Sequence, residues 1–185
     1  MRAAAAATSG GLLALLGGTL ADAGAACAAI DGLSLANLNG PGQIVVGGSH
    51  AALDTMTARA KELGFRRAIP LKVGGAFHTP LMAPAAAELG PALERVSFSK
   101  GHAGVIANVD GALHDDPADW SGLLLRQLTE PVRFDACVGA LPSGAVVVEC
   151  GAGAVLQGLV RRMRSDLDVR SIGSPSDLAL IEDLA

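Results

Sequence analysis

Tyrosine is absent from the 185-residue chain, and the remaining aromatics are four phenylalanines and one tryptophan. With 35 alanines and 24 glycines, the core has to be built from small aliphatic side chains. Cysteine is scarce as well. Cys27, Cys137 and Cys150 are far apart, odd in number and form no C-x-x-C. That spacing speaks against a zinc site or a disulfide framework and fits a reducing, cytoplasmic setting. Positive charge is not in excess: 14 Lys and Arg stand against 18 Asp and Glu, a net charge of −4. A nucleic-acid binder relying on bulk electrostatics is thereby disfavoured. No run reaches the roughly 18 apolar residues that a membrane span needs. Met1-Arg2 and the following alanines have the outline of a secretory leader. Thr8-Ser9-Gly10-Gly11 interrupts that stretch, and a single positive charge precedes it, so it reads as part of the fold.

What remains is an apolar chain of domain length. It should bury roughly 70% of its unfolded surface without a metal or disulfide staple. Gly11 to Leu16 is a short apolar run between glycines and reads as a strand. Thr19 can cap a helix to about Ile30. Leu33 to Leu38 alternates as a strand, Asn39-Gly40-Pro41-Gly42 is turn chemistry, and Gln43 to Gly47 is a β-branched strand. Ser49 caps a helix from His50 to about Gly64, and Arg67 to Val73 is a last strand, with Pro70 marking an edge. The order β-α-β-β-α-β is the split βαβ of ferredoxin-like folds.

From residue 75 on, helices and strands alternate, as in a parallel α/β sheet. His78 to Val96 reads as a helix that Gly90-Pro91 should kink or divide. Val105 to Val109 reads as a short strand, with helices following to Leu128 and from Pro131 to about Leu141. Val146-Val147-Val148 reads as a strand buried on both faces. Behind it, Leu156, Leu159, Val160 and Met163 form one face of a helix, and Arg161, Arg162 and Arg164 its solvated side. Val169 to Ile172 is a final strand, and Ser174-Pro175 opens a terminal helix. About three strands make a thin sheet, so either the chain oligomerises or part of the sheet lies outside it.

Chemistry concentrates at Gly74-Gly75-Ala76-Phe77-His78-Thr79-Pro80, where a strand ends and a helix begins. A histidine there suits a general base, and it equally suits a capping or surface residue. Gly47-Gly48-Ser49-His50-Ala51 mimics a nucleophile elbow, but an N-cap explains Ser49 fully. Gly151-x-Gly153 mimics a dinucleotide loop without its third glycine, since residue 156 is Leu156. His50, His102 and His114 show no ligand spacing and are expected at the surface.

Several stretches resemble one family in its own order. They are Asn37-Leu38-Asn39-Gly40-Pro41-Gly42-Gln43, Ala60-Lys61-Glu62-Leu63-Gly64, Gly75-Ala76-Phe77-His78-Thr79-Pro80-Leu81-Met82, Asn108-Val109, Arg126-Gln127-Leu128 with Pro131-Val132-Arg133-Phe134, and Glu149 to Leu159. Together they are similar to malonyl-CoA:acyl carrier protein transacylases, in the part that follows the catalytic serine. The resemblance implies an α/β-hydrolase-like acyltransferase core, here residues 75–185, carrying a ferredoxin-like subdomain, here residues 1–74 with its lead-in. It implies malonyl transfer from malonyl-CoA to the phosphopantetheine thiol of acyl carrier protein, in fatty-acid or polyketide synthesis, with no further cofactor and no metal. It implies that His78 is the general base, that the carbonyl of Gln127 orients it, and that Phe77 disfavours branched acyl groups. Asn37 and Asn39 are the implied substrate contacts. The family's G-H-S-x-G, its P-G-Q-G and its R-G-x-x-M are not among these residues. The chain is therefore expected to need a separate N-terminal half, or else to be a non-catalytic remnant that contacts acyl carrier protein.

Overall fold

The computed structural model describes residues 1–184, which divide inside one helix into a unit Met1–Cys137 and a second unit from Val138 onward. The first unit begins with α1 (Arg2–Ala7), which the sequence patterning did not announce, and continues as β1 (Gly10–Leu16), α2 (Leu20–Ala29), β2 (Leu33–Leu38), β3 (Gln43–Ser49), α3 (His50–Arg59) and β4 (Arg67–Pro70). The four strands form one antiparallel sheet in the order β2-β3-β1-β4, the ferredoxin-like arrangement that the element order implies.

Local chemistry sets the helix starts. Thr19 accepts from the Asp22 N–H while Asp22 accepts from the Thr19 N–H, a reciprocal capping box at α2. Ser49 Oγ accepts from the Ala52 N–H at 3.2 Å and opens α3. Both helices cover one face of the sheet. Leu13, Leu15, Ile44 and Val46 meet Ala23, Ala26, Met56 and Phe65 in the main core. Leu12, Ala36 and Val45 are buried on the other face, so the central strands are covered on both sides.

A bulge in β2 decides which residues face where. The register with β3 shifts between Leu35 and Asn37. Leu33 and Leu35 before the bulge and Leu38 after it all pack toward the helices. Ala36 and Asn37 are left together on the opposite face, as an extra residue in one strand requires. Beyond the bulge the Leu38 N–H donates to the Val132 carbonyl and the Val132 N–H to Ala36, tying β2 to the segment after α5.

The rest of the first unit comprises a 3-10 turn at Pro80–Met82, α4 (Ala83–Leu93), the two-residue hairpin strands β5 (Val105–Ile106) and β6 (Leu113–His114), a 3-10 turn at Pro117–Asp119, α5 (Trp120–Thr129) and the start of α6 (Phe134–Gly139). Three expectations are corrected here. His78 lies before the helix rather than in it. Of the kink or division expected at Gly90-Pro91, the division is absent: Pro91 lies inside α4, which ends two residues later at Leu93. Its missing N–H costs one helix hydrogen bond and its ring crowds the carbonyl four residues back. The strand expected over Val105 to Val109 is two residues long, because the Ala107 N–H turns to the Ala112 carbonyl and closes a tight hairpin.

The second unit holds β7 (Val146–Cys150), α7 (Val155–Met163) and β8 (Asp168–Ile172), a βαβ with the two strands parallel, followed by a 3-10 segment Pro175–Leu184. β7 is not buried on both faces: Val146 is exposed and Val147 and Val148 are half-buried. A β-branched run shows what a strand is suited to, not what covers it. The arginines behind it are also not simply solvated. Arg161 donates to the Val169 carbonyl at 2.8 Å, and Arg164 reaches the carbonyls of Val138 and Leu141 as well as Asp166. No helix of the described residues is long and apolar enough to cross a membrane.

Candidate functional site

The turn that presents His78 is built from its neighbours. Pro80 restricts the residue before it to extended backbone, and Thr79 has φ −131° and ψ 165°. Thr79 is fully buried, and its hydroxyl donates back to the Ala76 carbonyl at 2.6 Å. Gly47 on β3 makes room for it: a side chain there would meet the Thr79 methyl and Leu12 at 2.7 Å. Between these constraints His78 takes φ +60°, the one non-glycine residue of those described with positive φ. For an L-residue this conformation costs about 1–2 kcal/mol. It persists because the residues on both sides are fixed.

The His78 ring is half-buried, with Nδ1 2.7 Å from the carbonyl oxygen of Gln127 in the last turn of α5. A carbonyl only accepts, so Nδ1 carries the proton and the neutral ring keeps a lone pair on Nε2. No hydrogen bond among the described residues engages Nε2. The Gln127 side chain also comes within 3.4 Å of Nδ1, but its amide donates to the Glu130 carbonyl at 3.3 Å. Two donors do not bond, so the main-chain carbonyl is the group that orients the ring.

His78, Phe77, Asn37, Leu12 and Met1 line one cavity of about 440 Å³. The structure thus brings together His78, Gln127, Phe77 and Asn37 from β2, the 74–79 turn and α5. The bulge in β2 is what places Asn37 on the face of the sheet that carries Leu12. Asn39 is elsewhere: its N–H donates to the Gln43 carbonyl in the β2–β3 turn, and it does not line the cavity. Ser49 is occupied as the cap of α3. The partly buried cysteines offer no replacement nucleophile. Burial pushes the Cys27 thiol up to about 11, and burial first, then Asp135, raises that of Cys137.

Sequence reasoning missed one cluster. His114, expected at the surface, is enclosed by two carboxylates. Nδ1 lies 3.0 Å from Asp119 and Nε2 3.2 Å from Asp110. The Asp–His spacings of four and five residues were present in the sequence, but only the hairpin and the following 3-10 turn bring them to one ring. In the second unit a cavity of about 640 Å³ includes Arg161 and Arg170. Their guanidiniums bind the Val169 and Leu180 carbonyls and Asp168, which is structural use. No group of three or more metal-ligating side chains occurs among the described residues.

Comparison with known proteins adds a relationship that covers most of the chain. No family model matches it. It is 38% identical over 150 residues to the malonyl CoA-acyl carrier protein transacylase of Bacillus subtilis, covering 80% of this chain and 47% of that protein. With the transacylase of the same name from Mycolicibacterium smegmatis it shares 36% over 180 residues, covering 94% of this chain and 61% of that protein. Among solved structures, that of MCAT from Streptococcus pneumoniae superposes with a TM-score of 0.91 at 33% identity, over all of this chain and 62% of that one. A malonyl-transacylase solved in complex with its type II PKS acyl-carrier protein superposes with a TM-score of 0.87 at 29% identity, over 96% of this chain and 59% of that one. The chain spans about half the length of the first curated relatives it matches.

Proposed function

The chain is homologous to the C-terminal part of malonyl CoA-acyl carrier protein transacylases, and from that relationship we propose that it supplies the histidine side of a malonyl-transfer site. The observation that carries the reading is the 2.7 Å contact between His78 Nδ1 and the Gln127 carbonyl. It leaves Nε2 as a base on the wall of the cavity. A serine hydroxyl attacks the malonyl thioester carbonyl while Nε2 takes its proton. The tetrahedral intermediate collapses, the coenzyme A thiolate leaves, and the imidazolium returns the proton to it. In the second half Nε2 takes the proton of the phosphopantetheine thiol, the sulfur attacks the serine ester, and the serine recovers its proton.

The carbonyl of Gln127 stands where many triads hold a carboxylate. It fixes the tautomer and direction of the ring, and it stabilises the imidazolium as a dipole rather than as a full charge. Phe77 narrows the cavity beside the acyl group, which disfavours a branched α-carbon. Asn37 offers an amide to the malonyl or thioester oxygens. The nucleophile is not among these residues: they contain no G-H-S-x-G, and Ser49 serves α3. In this reading the serine comes from a segment bearing that motif, and the acceptor is an acyl carrier protein, as in the solved complex of the related transacylase.

The test is transfer of labelled malonyl from coenzyme A to acyl carrier protein. The 185 residues alone should give no transfer, and adding a segment that carries G-H-S-x-G should produce it. Transfer by the 185 residues alone, surviving Ser49→Ala, would place the nucleophile elsewhere in this chain and overturn the reading.

A further inference from the structure

The His114 cluster lies outside the cavity, yet it is joined to the element that orients His78. Nδ1 of His114 meets Asp119 in the 3-10 turn, and Nε2 meets Asp110 in the hairpin turn. Ionised carboxylates only accept, so both contacts are hydrogen bonds only when both ring nitrogens carry protons. Asp110 also accepts from the Ala112 N–H and lies 3.7 Å from the Arg126 guanidinium on α5. Arg126 makes a two-pronged bond to Glu130 and directly precedes Gln127. Trp120, the first residue of α5, packs T-shaped against the His114 ring at 6.1 Å between centroids. Both ends of α5 are therefore in contact with this cluster.

We propose that His114 in its doubly protonated form is a positioning residue, bridging Asp110 and Asp119 so that the 107–119 segment is held against α5 and, through Arg126, the Gln127 carbonyl is held at His78. The clasp itself stands on geometry alone; its consequence for transfer rests on the reading of His78 as base.

The charges facing the ring decide the direction of its pH dependence. Asp119 raises the His114 pKa most, burial opposes it, and Asp110 adds to the rise. For Asp110, burial works upward but is outweighed by the Ala112 N–H, His114 and Arg126, so its carboxyl stays ionised below the usual range. Asp115, next in the chain, is paired with Lys100 at 3.7 Å, and Asp116 accepts from the Ala118 N–H. A histidine whose folded pKa is raised lends its stabilisation fully below the ordinary value of 6.5. That stabilisation is lost as pH rises through the folded value. Above it, one ring nitrogen turns a lone pair toward a carboxylate, and the clasp opens on that side.

The experiment is a pH titration of the histidine ring signals by NMR in the 15N-labelled chain. The His114 midpoint should lie above 6.5, and the Nδ1–H signal of His78 should show an inflection at that same midpoint. Asp119→Asn, at an exposed position, should lower the His114 midpoint and carry the His78 inflection down with it. A His114 midpoint at or below 6.5, or a His78 inflection that ignores Asp119→Asn, would overturn the proposal. Neither signal requires malonyl transfer. Malonyl transfer by the chain with a G-H-S-x-G-bearing segment that is unchanged by His78→Ala, with both signals intact in the unsubstituted chain, would instead count against the base assignment.

Discussion

His78 is held in a left-handed backbone conformation by a buried threonine, a proline two residues on and a glycine on a neighbouring strand. Two substitutions separate the parts of this arrangement. Gln127→Ala keeps the main-chain carbonyl and removes only the amide that bonds to Glu130. Malonyl transfer in the presence of the serine-bearing segment should fall by less than about 10-fold, the scale of one ordinary hydrogen bond. Gly47→Val drives a side chain into Leu12 and the Thr79 methyl. Overpacking of that kind should cost about 1–3 kcal/mol, read as a lower urea midpoint. It should also displace Thr79 and with it His78, so transfer should fall further than stability alone explains. At this scale the setting between a strand and a helix left base and cap equally open for His78, and the family resemblance is what singled it out. The sequence did not show φ +60°, because that value results from packing against β3, remote in sequence. The His114 clasp was illegible for the same reason: its three residues become neighbours only through a hairpin and a 3-10 turn.

Among elements, the ferredoxin-like sheet was legible nearly throughout. Capping residues, the Asn39-to-Gly42 turn and short β-branched runs all pointed the same way, and local agreement of that kind marks a segment whose fold follows from its own sequence. Ser49 illustrates it, since its N-cap role follows from position alone. Ser49→Ala should cost about 1 kcal/mol in urea denaturation while leaving transfer unchanged, because the loss is confined to the first turn of α3. The second unit was less legible. Its βαβ order was evident, but periodicity says which side chains could be buried and not what buries them. The triple valine of β7 therefore suggested a two-sided core strand, where the structure shows a half-exposed pair with β8. The bulge in β2 left no clear sequence signal either, although it is what brings Asn37 to the cavity.

For the whole molecule, the ionisable groups set a window of stability. Asp22, Asp110, Asp166 and Asp177 titrate below the ordinary 3.8, and Glu62 and Glu149 below the ordinary 4.5. Their hydrogen-bond and charge partners are lost on unfolding. A depressed carboxylate contributes stability above its unfolded value and loses it as pH falls through the folded one. His114 acts in the other direction, contributing below 6.5 and ceasing as pH rises through its raised value. The thermal midpoint should therefore be highest between about 4.5 and 6.5 and decline on both sides. Most of these groups are at the surface, so high salt should flatten the profile. His114→Gln should remove the decline that sets in just above 6.5 and leave the acid one, while the raised thiols of Cys27 and Cys137 bring a separate decline above the ordinary 9.0.

In the proposed function His78 is the base of a malonyl-transfer site whose serine is carried on another segment. The most direct test is the rate of labelled malonyl transfer to acyl carrier protein by the chain together with a G-H-S-x-G-bearing segment, for His78 and for His78→Ala. His78→Ala should lose about 10³-fold or more in turnover, as for the base of other activated serines, with the fold retained. Equal rates for the two proteins would contradict the assignment of His78 as base.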